Sequence, residues 1–192
     1  MTVAASTSAP STPRPTKFLV LALLAVAACL VIFLRAYRTV EIVVAGTITG
    51  LLASSTGTYI DAANQTFYFG LGGPSPLGLR MAPECTSALL ILPLVLVAAV
   101  MIFLRPRIAK RVIISLAIAA VVLFVVNQLR LLLLVGLVDW FGTSTGYYWG
   151  HTLLGSIVSV FGGAIALVLF VWLSTRGTRT PKPPSDQEAP AP

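Results

Sequence analysis

The sequence predicts an all-α integral membrane protein with about five transmembrane helices and a short external, strand-containing segment before the third. Two observations carry this. Of 192 residues, 57% are hydrophobic and only 10% are charged, a balance that excludes an ordinary soluble domain. The apolar residues also gather into runs long enough to cross a hydrocarbon layer of about 30 Å. The net charge of +7 lies mostly beside those runs, where Lys and Arg set orientation. It therefore implies no nucleic-acid partner.

Taken in order, residues 1–16 are rich in Ser, Thr, Pro and Ala and predict a disordered tail. The domain proper is expected over residues 17–175. Its first apolar run, 17–34, is too long and too poorly followed by a cleavage site for a signal peptide, so it reads as a retained helix. Residues 39–55 are more polar and predict a second helix, spanning or lying in the interface. Gly46 and Gly50 form a GxxxG pair that permits close helix packing. Residues 56–84 form the external loop. Tyr59–Asp61 and Thr66–Phe69 read as short strands around an Ala-Ala-Asn turn, and such backbone cannot face lipid. Three clear helices follow, at 85–104, 112–138 and 151–173. Residues 176–192 are Pro-rich and predict a disordered cytoplasmic tail.

Basic residues orient the chain. The loop 105–111 carries four positive charges and no negative ones, and Arg176, Arg179 and Lys182 follow the last helix. Both are expected in the cytoplasm. Around the first helix, Arg14 and Lys17 nearly balance Arg35 and Arg38. The N-terminus lies outside if 39–55 spans, and inside if it lies in the interface.

This topology brings three polar residues to one depth. Arg130 lies 18 residues beyond Val112, roughly 27 Å along a helix, so it sits near the outer surface. Asn127 precedes it by one turn on nearly the same face. Cys85 and His151, the latter the only histidine, open two helices that enter from outside. Gly155, Ser159 and Gly163 form a small-residue stripe below His151 that admits a neighbouring helix. A thiolate, an imidazole and a guanidinium together support acyl transfer: nucleophile, proton carrier, and stabiliser of negative charge. Each residue also has a plainer reading. Cys85 can be a packing residue, Arg130 can snorkel to headgroups, and His151 can belong with Tyr147, Tyr148 and Trp149 to an interfacial belt. A disulfide between Cys29 and Cys85 is not expected, since they lie at different depths.

The motifs "PECTSALL" at Cys85, "NQLRLLLL" at Arg130 and "HTLLGS" at His151 occur in the order and spacing of a known pattern. Over residues 36–173 the chain resembles the exosortase/archaeosortase family of membrane-embedded cysteine transpeptidases. It departs from that pattern where Thr86-Ser87-Ala88-Leu89 stands in place of a common Ser-Gly-Leu-Arg. It is also shorter than the typical eight-span members. The resemblance implies a plasma-membrane, multi-pass enzyme whose site faces outside. It would cleave the C-terminal sorting signal of surface proteins and transfer them to an acceptor. The implied partners are substrates bearing a short motif, a transmembrane helix and a basic tail, together with membrane lipid. The implied roles are Cys85 as nucleophile, His151 as general acid/base, Arg130 as thiolate or oxyanion stabiliser, and Asn127 as its orienting partner. No cofactor or metal is implied. Two other classes compete: a non-catalytic module that binds or assembles partner transmembrane segments, and a small transporter. Absence of a midplane charge in the clear spans counts against the transporter.

Overall fold

The structure, a computed structural model, describes residues 14–52, 57–72 and 76–176. Most of both expected tails lies outside the described residues. Helix α1 (Arg14–Ile32) is followed by α2 (Leu34–Leu52) and three strands, β1 (Thr58–Asp61), β2 (Thr66–Phe69) and β3 (Leu77–Arg80). A 3₁₀ turn, Pro83–Cys85, leads into α3 (Ser87–Leu104). Then come a second 3₁₀ turn (Pro106–Ile108), α4 (Ala109–Phe141), the short α5 (Thr143–Tyr147), a π-helical stretch (Tyr148–Leu154) and α6 (Gly155–Thr175).

Among the described residues, three helical segments are long and apolar enough to cross a membrane: Ser87–Leu104, Pro106–Phe141 and Ser144–Thr175. The count rises to at most four if α1 and α2, bent by 71° against each other, make one span. Length and composition thus account for three or four of the about five expected spans. The reason lies in α2, which carries Arg35, Arg38 and Glu41 in its first turns. It also rests its small-residue face on the sheet.

Helix α4 is central, with α2, α3 and α6 packed against it, while α1 packs on α3. Two apolar clusters result. One joins Leu23 and Ala27 of α1 to Val95 and Ala98 of α3, Ala119 and Leu123 of α4, and Phe170 of α6. The other joins Ile42 and Ala45 of α2 to Phe67 and Phe69 of β2, Met81, Cys85, and Leu131 and Leu134 of α4. Cys85 thus sits where the sheet, α2 and the upper half of α4 meet.

The sheet is an antiparallel meander of order β1-β2-β3, with Ile60 opposite Phe67 and Phe67 opposite Leu79. Phe67 and Phe69 point inward while Tyr68 turns outward against Tyr59, with ring centroids 6.2 Å apart. This is the period-two alternation of a half-buried strand. At the β1–β2 turn, Asn64 donates to both carboxylate oxygens of Asp61, at 3.1 and 2.8 Å. The side-chain amide bond, more than the backbone one, holds the Asp61 carboxyl below its ordinary range. Strand β3 was not anticipated from the sequence.

The GxxxG pair works differently from the expectation. A Cβ on Gly46 would meet Ile60 at 2.8 Å, and one on Gly50 would meet Thr58 Oγ1 at 2.6 Å. Both glycines admit the sheet rather than a second helix. Gly46→Leu is therefore expected to lower stability by about 1–3 kcal/mol through overpacking, read as a lower unfolding midpoint in detergent. An unchanged midpoint would show that the sheet does not dock here.

Candidate active site

Cys85 ends the 3₁₀ turn rather than starting a helix; Thr86 is the N-cap of α3, its hydroxyl accepting from the Ala88 N–H at 3.4 Å. The thiol is 8% exposed and free, as is Cys29, which lies exposed on α1. Arg130 reaches it from α4, with Nη2 3.8 Å from Cys85 Sγ, while Nη1 donates to Ser159 Oγ at 3.0 Å. Ser159 in turn donates to the Gly155 carbonyl at 2.9 Å. Gly155 leaves the space the guanidinium occupies, since a Cβ there would lie 2.9 Å from Arg130 Nε. The anticipated stripe thus resolves into two functions. Gly155 and Ser159 receive Arg130, and below them Gly162, not Gly163, admits Val126 of α4. The steps from 155 to 159 to 162 follow one face of a helix better than a strict four-residue repeat.

His151 lies in the π-helical stretch, one turn before Gly155 on α6. Its ring stacks on Tyr147, with centroids 5.1 Å apart and planes 11° from parallel. Such stacking fixes a ring plane, and single π turns inside α-helices recur at functional sites. Tyr147 was expected only as a belt residue. It also lines a cleft of about 380 Å³ between β3 and the upper end of α4, with Phe69, Leu77, Arg80 and Val138. Among the described residues, no hydrogen bond joins His151 to Cys85 or Arg130.

The role expected for Asn127 is corrected. Among the described residues its amide makes no hydrogen bond to Arg130; Nδ2 donates to Glu41 Oε1 at 2.9 Å. Glu41 is the residue that sequence reasoning passed over. Its carboxylate is 0% exposed and accepts from Thr86 Oγ1 at 2.5 Å, the Ser87 N–H at 3.0 Å and Ser87 Oγ at 2.6 Å as well. Ser87 Oγ also bonds the Tyr37 hydroxyl at 2.9 Å. Of the two carboxylate oxygens, Oε1 accepts three of these four donors and Oε2 the fourth. One donor is the first N–H of α3, a group that no helix can satisfy internally. The negative charge sits at the positive end of that helix. Glu41 thereby ties α2 to the two residues that follow Cys85 and to the turn of α4 that precedes Arg130. The only sequence signal was an acidic residue followed by an apolar stretch.

Among the described residues, no three His, Cys, Asp or Glu side chains gather to hold a metal ion. Comparison with protein-family models, curated proteins and solved structures finds no match.

Proposed function

We propose that the protein is a membrane cysteine transpeptidase or protease of the exosortase/archaeosortase type. It cleaves C-terminal sorting signals at the outer face of the membrane and passes the shortened protein to an acceptor. The observation that carries this reading is the Arg130 guanidinium resting on the Cys85 sulfur. A membrane protein places an arginine against a buried cysteine at a cost in solvation, and a catalytic thiol is the chemistry that uses such a neighbour.

In this reading α1 is the fourth span and α2 lies in the outer interface. The Tyr37–Ser87 bond sets the α1–α2 junction beside the start of α3, which supports a course of α1 with its Arg14 end on the cytoplasmic side. The cleft lined by Tyr147 and β3 receives the substrate's recognition motif, and the substrate helix descends from it. The Cys85 thiolate attacks the scissile carbonyl, forming a carbon–sulfur bond and a tetrahedral oxyanion. Arg130 holds that negative charge. Collapse breaks the carbon–nitrogen bond, and His151 donates the proton that the departing amine requires. The remaining thioester is attacked by an amine or by water, His151 takes the attacking group's proton, and the Cys85 thiolate departs, restoring the starting thiolate and protonated imidazole.

The test is capture of the thioester. Brief exposure of the reconstituted chain to a substrate is expected to leave an adduct on the peptide containing Cys85, released by hydroxylamine. An adduct on Cys29, or processing that persists with Cys85 blocked, would overturn the reading. Gly155→Ala supplies a second check. Its methyl displaces Arg130, and a shift of this size at a reacting centre can cost about 10²-fold in rate. The expected outcome is slowed processing at normal protein level; wild-type rates would mean that the Arg130 position is irrelevant.

A further inference from the structure

A second cleft, of about 570 Å³, opens between the start of α2, the β1–β2 turn and the end of β3. Arg35, Arg38, Asn64, Gln65 and Arg80 line it. Three arginines thus share one cavity, and among the described residues no carboxylate lines it. The nearby acidic groups are engaged elsewhere. Asp61 accepts from Asn64, and Glu41, one turn after Arg38, gives its oxygens to Thr86, Ser87 and Asn127.

The walls of this cleft are tied to one another. Arg35 and Arg38, three residues apart, project from one side of α2. Arg35 Nη2 donates to Ala63 O at 3.0 Å, and Gln65 Nε2 donates to Arg35 O at 3.0 Å, so the β1–β2 turn is fastened to the helix. Arg38 Nη1 donates at 3.2 Å to the carbonyl of Met81, the residue after Arg80. The Met81 N–H in turn donates to Gln65 O at 3.0 Å. The cations are therefore gathered before any ligand arrives, which lowers the ordering cost of binding. Each guanidinium carries five N–H donors. Arg35 and Arg38 each direct one to a carbonyl, and Arg38 Nε is buried without a partner. Among the described residues the exposed Arg80 side chain makes no hydrogen bond.

We infer that this cleft is an anion site that takes a phosphate group among Arg35, Arg38 and Arg80. A phosphate sets its oxygens tetrahedrally, so guanidinium forks arriving from α2 and from β3 each meet acceptors. A carboxylate sets two oxygens in one plane and suits a single fork. Two sources present the same group: a phospholipid headgroup, since Arg35 closely follows the exposed apolar Ile32 and Phe33, and a soluble phosphate. The inference does not depend on the transpeptidase reading.

The test titrates the full chain in detergent with sodium phosphate, against sodium acetate and sodium chloride at matched ionic strength. The unfolding midpoint is read, because a ligand of the folded state raises it. Phosphate is expected to raise the midpoint above both controls. Arg80→Gln is expected to weaken its apparent affinity about tenfold, the value of one charge-assisted hydrogen bond. That variant removes no internal side-chain bond, so its midpoint without phosphate should match the wild type. Arg107→Gln, in the loop after α3, should respond to phosphate as the wild type does. Native mass spectrometry with phosphatidylglycerol separates the two sources. Lipid retention that falls in Arg80→Gln assigns a headgroup. Phosphate binding that needs Arg80, with lipid retention indifferent to it, assigns a soluble phosphate; either result upholds the site. Phosphate and lipid responses that are absent from the wild type, or that persist unchanged in the Arg35→Gln/Arg80→Gln double variant, would overturn it. An acetate response equal to that of phosphate would overturn the phosphate assignment in favour of a carboxylate.

Discussion

Cys85→Ala and Cys85→Ser are each expected to cut processing by more than about 10³-fold, since removing a nucleophile disables the whole catalytic unit. Serine is the stricter probe. It keeps the size and the position beside Arg130, but a hydroxyl is a weak nucleophile without a strong adjacent base. Both variants should insert and accumulate normally, because the side chain is small and contributes only part of a cluster that includes Phe67, Met81 and Leu131. Cys29→Ser should process at the wild-type rate, since Cys29 lies exposed on α1. Processing assays with a tagged substrate, read beside protein level, separate these outcomes. Normal processing by Cys85→Ser would leave the thiol as a packing residue.

Glu41→Ala is expected to produce the largest loss of stability. It strips the acceptor from Thr86, Ser87 and Asn127 at once and leaves a helix N-terminus and a side-chain amide unpaired in a dry environment. Removing one partner of a buried charged network costs about 3–5 kcal/mol. For a chain of this size that lowers the unfolding midpoint by about 10 °C. Glu41→Gln should cost less. Its one carbonyl oxygen still accepts, and the Thr86 and Ser87 hydroxyls can rotate to receive the new amide hydrogens. If Glu41→Ala unfolds at the wild-type midpoint, the network does not hold the site together. If Glu41→Gln folds well yet processes slowly, the carboxylate positions Cys85 and Arg130 rather than merely supporting α3.

The long elements were legible because their signal is local. Continuous apolar runs marked α3, α4 and α6, and β-forming residues on either side of the Ala-Ala-Asn turn marked β1 and β2. Strand β3 escaped because Leu-Gly-Leu-Arg contains a glycine that strands disfavour; here that glycine lets Tyr68 lie across it, 2.6 Å from where a Cβ would stand. The fifth expected span is not among those that length and composition support, because the helix that holds Gly46 looks like a membrane helix by its later residues, while its first turns carry the charges. Within the site, depth arithmetic along two helices brought Arg130 to the level of Cys85. It could not reveal Glu41, whose donors lie 45 to 86 residues away in sequence. Asn127 was paired with Arg130 by helical spacing alone, but a buried amide goes to the strongest acceptor within reach, and that is the carboxylate.

The most direct test of the central claim is a comparison of membrane proteomes in the native host, wild type against Cys85→Ala, reading the C-termini of surface proteins by mass spectrometry. The account predicts a small set of proteins that keep a hydrophobic, basic-ended C-terminal tail only in the variant. They should share a short motif ahead of that tail. Identical C-termini in both strains, with the Cys85→Ala chain present at wild-type level, would contradict it.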